Sequence, residues 1–433
     1  MKIIKHKENT AELNSVNYNQ ENRMKKYSRK LNMLLSMLLV LTIASATSCE
    51  TKKNGNLYGQ NIENKLNMSS EVISYSQKIM TKGSPQATYY DELSRFLSGM
   101  SVPKSSKLYK KTQTKYYKKH IYALKNFWGK VKRNTLNKVV DWQKKNVPNI
   151  HKEHVAFYPL SGADFINLNL MYPDASNYLM VALEDPGFVP NINDLSNRRM
   201  SVGLNFIQRG LTLYGKNNYF ATVVMKHRMT QNRYIKGITP IFMIFMTRMG
   251  HKIEDVKPIG IGKGGKLYFL NKKGKIGNYK ASSKGVMIHF KDRITGKTKR
   301  LVYIKAYLDK KNLSKTTRNG KYFNGIGRTR TMMKSAIYLC HIKKYINVGQ
   351  WIIKKTDVLI QDDSAIPYKY IPNTWETKLY GNYIPMKLKR CPLSYQKDLA
   401  MEYRKRKQHL PFFFGYGILW GKNKSNLLIG IRK

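Results

Sequence analysis

The residues of this sequence best suited to chemistry are its scarce acids. Asp164 follows one apolar segment, Glu184 and Asp185 close a second, and Asp362 and Asp363 close a third, with Ser161 and Ser364 beside them. Two or more carboxylates converging on one point can act as general acid and base on a glycan, or hold a divalent cation. Each apolar segment reads as a strand, and in an open parallel sheet the carboxyl ends of strands border the crevice where strand order reverses. The expectation is a shared cleft of Ser161, Asp164, Glu184, Asp185, Asp362, Asp363 and Ser364. The competing assignment makes the same acids turn formers and helix caps, as Asp164 would be in the first turn of its helix.

The elements that must position these groups follow from periodicity. Leu93, Phe96 and Leu97, then Tyr117, Ile121, Leu124, Trp128 and Val131, then Leu136, Val139 and Val140 recur at helical spacing, and Pro148 ends the run. Residues 71–150 are therefore expected to form a helical N-terminal layer whose aromatic stripe is core. From 151 onward an α/β body is expected. A strand at His154–Tyr158, a turn at Pro159–Gly162, a helix at Ala163–Met171 and a strand at Tyr178–Leu183 read as an opening βαβ unit. Helices follow at Leu195–Leu213 and Ile238–Met249, with Tyr219–Val224 a short strand or helix extension between them. Gly- and Lys-rich turns separate short strands from about 259 to 308, which predicts an antiparallel insertion. Thr331–Lys344 and Val348–Lys354 read as helical, Asp357–Gln361 as a strand, and the tail as short strands around Trp375–Tyr380 and Leu410–Trp420 with a basic helix near Lys397–Lys407. The predicted fold is α/β, a Rossmann-like mainly parallel sheet with a helical N-terminal layer and an antiparallel β insertion.

Several other patterns carry no chemistry. Gly260–Lys266 has the spacing of a phosphate-binding loop, but Leu267 stands where a magnesium-holding Ser or Thr belongs and a strand pattern follows, so a lysine-rich hairpin turn is expected. Ser161 lacks the frame of a nucleophile elbow, and no histidine is placed to activate it. His151 and His154 stand at i and i+3 with no acidic or cysteine partner placed to complete a site, so no metal and no cofactor are expected. Cys340 and Cys391 could pair in an oxidising compartment, although Cys340, in the apolar pattern Ile337-Tyr-Leu-Cys340, reads as an inert core thiol.

Phe157-Tyr-Pro-Leu-Ser-Gly-Ala-Asp-Phe165, with Glu184 about twenty residues later, resembles the first motif and the second-strand acid of Rossmann-like methyltransferases. One glycine stands where two or three are usual, and the resemblance implies the fold without the cofactor. The same segment, together with Gln361-Asp-Asp-Ser-Ala-Ile-Pro367, Leu379-Tyr-Gly-Asn-Tyr383, Leu410-Pro-Phe-Phe-Phe-Gly-Tyr416 and Ser425-Asn-Leu-Leu428, resembles a family of uncharacterised bacterial envelope proteins, many of them lipoproteins. Coverage would run from about residue 87 to the end. That resemblance implies an address and a shared fold and brings no activity. Leu160 and Ala163 replace the motif's Phe and Pro, and Phe413 and Phe414 replace its Gly and Ile.

The leader points to the same address. A basic stretch, Arg23 to Lys30, precedes the apolar run Leu31–Ser45, and the small residues Ala46, Thr47 and Ser48 precede Cys49. This resembles a bacterial lipobox, which implies cleavage after residue 48 and lipidation of Cys49; Met24 would make an ordinary start. Residues 49–70 read as a flexible tether. The chain of 433 residues carries 79 Lys and Arg against 25 Asp and Glu, a net charge of +54. Losing 8 basic and 3 acidic residues with the leader leaves +49. Such a field attracts anionic glycans or lipids, but the charge is scattered and matches no nucleic-acid-binding pattern, so specific nucleic-acid binding is not expected. The sequence thus predicts a lipid-anchored protein of the bacterial cell envelope with a binding or structural role. The alternatives are a carboxylate- or divalent-metal-dependent enzyme and a cationic adhesin for polyanions.

Overall fold

Eleven strands make one mixed sheet in the computed structural model, which describes residues 65–217, 234–384, 395–415 and 425–433. The strands are β1 Val155–Pro159, β2 Asn177–Ala182, β3 His251–Ile261, β4 Leu267–Phe269, β5 Lys284–Asp292, β6 Thr298–Lys305, β7 Thr329–Met333, β8 Thr356–Gln361, β9 Glu376–Gly381, β10 Lys407–Gln408 and β11 Asn426–Ile431. Their order is β10-β9-β11-β8-β7-β1-β2-β6-β5-β3-β4. Five neighbours, β8-β7-β1-β2-β6, run parallel. Antiparallel strands extend the sheet on both sides, β5, β3 and β4 beyond β6 and β11 beyond β8. "Mainly parallel" was too strong an expectation, because β5, β3 and β11 turn both flanks antiparallel.

Burial explains the parallel centre. All five residues of β1, all five of β7 and all six of β8 are buried, the signature of strands covered on both faces. The N-terminal helices are α1 Ser70–Lys82, which packs on β4 and β5, α2 Ala87–Leu97, which packs on β3, then α3 Lys115–Val131 and α4 Asn137–Asn146. Ser69 and Thr114 cap α1 and α3 with their hydroxyls. After β1 come α5 Phe165–Met171 and, after β2, α6 Asn197–Asn217 and α7 Thr239–Arg248. Helix α7 is apolar all round and buried from Thr239 to Thr247, as such a helix must be. Trp128 of α3 meets Phe245 of α7 edge to face at 5.9 Å. Helices α8 Arg318–Gly325, α9 Ile346–Lys355 and α10 Lys397–Arg406 follow.

Four expectations need correcting. The tether does not extend to 70, since Leu66 and Met68 are buried and Asn67 and Ser69 bond to the backbone of Leu267. The antiparallel region begins at His251 rather than 259, and its last strand, β6, belongs to the parallel centre through β2. Thr331–Lys344 is not a helix: it starts inside β7 and continues into a loop with two tight turns. Buried threonines explain the strand, because Thr331 Oγ1 lies 2.9 Å from Thr329 Oγ1 and 2.7 Å from Thr356 Oγ1, a polar ladder that a helix would break. The last strand is Asn426–Ile431, beyond the segment read as strand. The phosphate-loop pattern is indeed a hairpin turn, with Ile261 paired to Leu267. The leader, Cys49, Cys391 and Tyr219–Val224 lie outside the described residues. No helix among the described residues is long and apolar enough to cross a membrane.

Candidate functional site

The parallel strands run outward from β1 to β2 and β6, then resume on the other side of β1 with β7 and β8. Strand order therefore reverses between β1 and β7, and the loops leaving the carboxyl ends of β1, β7 and β8 meet there. Asp164, Asp362 and Asp363 come from two of these loops and the third binds them all. Lys334 Nζ is 2.8 Å from Asp164 Oδ2. One residue on, the Ser335 N–H donates to Asp362 Oδ2 at 2.9 Å. The Ala336 N–H donates to Ser364 Oγ at 2.9 Å, and the Tyr338 hydroxyl donates to Asp363 Oδ2 at 2.6 Å.

The remaining lone pairs are also engaged. Asn167 Nδ2 and the Tyr214 hydroxyl donate to Asp164 Oδ1 at 2.7 and 3.2 Å, and the Tyr158 hydroxyl lies 3.3 Å from Asp164 Oδ2. Ser364 donates to Asp362 Oδ1 through its hydroxyl at 2.6 Å and through its N–H at 3.1 Å. Asn426 of β11 donates to Asp363 Oδ1 at 2.8 Å and accepts from the Asp363 N–H at 2.8 Å. Burial, then the charge of neighbouring Asp363, pushes the Asp362 carboxyl up to about 7. Burial also raises Asp363, against the opposing hydrogen bonds from Tyr338 and Asn426.

The backbone here is held in costly conformations. Leu160 after β1 has φ 59°, and Ser335, Ile337 and Tyr338 after β7 have φ 54°, 57° and 51°. None is glycine, and for a β-branched residue such as Ile337 the left-handed region is a genuine outlier. At about 1–2 kcal/mol each, four such residues persist only because the surrounding contacts fix them. Gly415, at φ 62°, lies against Asp362 so closely that a Cβ there would overlap the carboxylate. The segment Phe412–Gly415 thus covers the acids, with Phe412 against Trp142 at 5.3 Å and the Phe414 N–H bonded to Ser425 Oγ at 3.1 Å.

Of the expected cleft residues, Asp164, Asp362, Asp363 and Ser364 come together, but as a filled polar core rather than an open cleft. Ser161 is buried beside them and donates to the Gly162 carbonyl at 3.1 Å. Glu184 is buried at the end of β2, where its carboxylate accepts from the Leu183 N–H at 3.1 Å and its carbonyl from the Tyr303 hydroxyl at 2.6 Å. Asp185 stands on the surface, 3.0 Å from Lys305 Nζ. An open groove of about 280 Å³ lies elsewhere, along β9 and β10, lined by residues such as Asn382, Lys407, His409 and Phe412. Cys340 is buried, and burial pushes its thiol up to about 12, which makes it inert.

Sequence reasoning missed Lys334, Tyr338 and Asn426. The first two follow β7, the strand read as helix, and the third begins β11, which was not read at all. It also passed over Glu153, which stands between His151 and His154, and over Asp357 of β8, which lies 3.0 Å from His154. No protein-family model, curated protein or solved structure matches this chain.

Proposed function

We propose that this chain is a lipid-anchored binding protein of a bacterial envelope whose ligand is a polyanionic glycan. Its reversal of strand order at β1 supports a Rossmann-like reading of the parallel centre, used as scaffold rather than as a cofactor site. The supporting observation is the way charge divides between inside and outside. Among the described residues seven acids are buried: Asp164, Glu184, Glu254, Asp255, Asp357, Asp362 and Asp363. The buried cations are Lys299, Arg300, Arg330 and Lys334, in a chain with 79 basic and 25 acidic residues. Folding withdraws negative charge from the surface and leaves lysine there, so the folded protein attracts polyanions more strongly than composition alone implies.

Binding to heparin, a soluble polyanionic glycan, tests this reading. Affinity should fall steeply and log-linearly with salt, as counterion release requires. Absence of binding at low salt, or affinity indifferent to salt, would remove it. The anchor has its own test: Cys49→Ala should leave an unprocessed precursor or a soluble form, and unchanged mass with full membrane retention would sink the lipoprotein assignment.

One observation favours a second reading, in which the acid crevice opens to act on a glycan. Asp362, held at about 7, has the proton affinity of a general acid or base at neutral pH. Wild type would then release reducing ends from an envelope glycan and Asp362→Asn would not; no release by wild type ends this reading.

A further inference from the structure

A cluster of metal-ligating side chains stands before β1, at the amino end of the parallel strands and away from the carboxylate crevice. The chain turns tightly there, with the His154 N–H donating to the His151 carbonyl at 3.0 Å and His151 at φ 51°. One donor atom from each of His151, Glu153 and His154 lies within 4.8 Å of the others. Glu153 Oε1 is 2.9 Å from His154 Nε2 and 4.0 Å from His151 Nδ1. Two imidazoles and one carboxylate suit borderline divalent ions, and three protein donors leave coordination positions open. We propose that His151, Glu153 and His154 bind a divalent transition-metal ion of the zinc or nickel class.

Asp357 supplies the independent support. Its side chain, 7% exposed and carried by β8, places Oδ2 3.0 Å from His154 Nδ1. Histidines that bind metal commonly give their other ring nitrogen to a carboxylate, which fixes the tautomer and orients the ring. A proton on Nδ1 leaves the Nε2 lone pair for the turn, on the side where Glu153 sits. Asp357 is itself engaged by Arg328 and by Arg432 Nε at 3.3 Å, so it serves as a fixed orienting group and not as a ligand. His154 Nδ1 lies at ion-pair distance from Asp357 without a hydrogen bond, and the two imidazoles lie parallel with centroids 4.8 Å apart. Chelation therefore requires the rings to turn, chiefly that of His151, whose side chain is 42% exposed. Lys65, bonded to the Glu153 carbonyl at 2.6 Å, opposes an incoming cation and weakens its binding.

Calorimetric titration of the full-length chain with zinc ion alone, near neutral pH, tests the assignment. Wild type should take up one equivalent more than His154→Gln, and Glu153→Gln should weaken that equivalent by about 10-fold or more. Asp357→Asn should retain the stoichiometry and lose about 10- to 100-fold in affinity. Cobalt ion should give visible bands in wild type that fade in His154→Gln, and magnesium in excess should leave them unchanged. Identical isotherms for wild type and His154→Gln, or displacement by magnesium, would overturn the site. If His154→Gln melts early, the exposed His151→Gln replaces it and must show the same loss of one equivalent.

Discussion

Strand β8 carries buried acids at both ends, and they behave in opposite ways. At its amino end Asp357 meets the guanidinium groups of Arg328 and Arg432 and the ring of His154. Burial alone would raise that carboxyl, but these partners outweigh it and bring Asp357 down to about 2. At its carboxyl end Asp362 receives neutral donors, the Ser335 and Ser364 N–H groups and the Ser364 hydroxyl, and is held at about 7. Hydrogen-bond count does not separate the two ends. A formal positive charge does, because neutral donors cannot cancel both desolvation and the repulsion between adjacent carboxylates. Asp164, in the loop after β1, is paired with such a charge in Lys334.

The largest effect that would test this contrast comes from removing that cation. Lys334→Met should cost about 3–5 kcal/mol in chemical denaturation, since it leaves Asp164 buried without its counter-charge. Adding Asp164→Asn should restore part of the loss. Equal stability of Lys334→Met and wild type would show that the pair is electrostatically idle.

Next in size is a dependence on pH. The folded-state value of Asp362 is raised, so its protonated form stabilises the fold: that contribution is complete below about pH 4 and lost as pH rises through 7. Melting temperature should therefore fall between pH 5 and 8, by the equivalent of about 2 kcal/mol. In Asp362→Asn this limb should flatten. A limb that survives the substitution would assign it to another group.

Asp357→Asn should show the smallest effect and the opposite logic. Loss of the partner shared by Arg328 and Arg432 should destabilise by about 1–2 kcal/mol at neutral pH, and added salt should shrink the difference from wild type. A gain in stability would mean that the two ends of β8 are equivalent after all.

Some of this was legible in the sequence because it rests on local pattern. β1 and β2 are near-continuous apolar runs, and β8 has the apolar centre Val358-Leu-Ile360, all ended by turn residues, so the acids that follow them could be placed at strand ends. β7 was not legible: Thr329-Arg-Thr-Met-Met333 is short and polar, and its threonines make sense only against Thr356 on the neighbouring strand. Losing β7 hid the loop that binds all three carboxylates. That loop also turns without glycine, so the usual mark of a left-handed residue is missing at Ser335, Ile337 and Tyr338. The burial of the acids was equally hidden. Composition places carboxylates outside by default, and here partners such as Lys334, 170 residues from Asp164 in sequence, keep them inside.

Strand β11 spans residues 426–431 yet pairs with both β8 and β9 in the interior of the sheet. During synthesis the edge of β8 consequently waits for a partner made after every other strand of the sheet. Such late, long-range closure folds slowly.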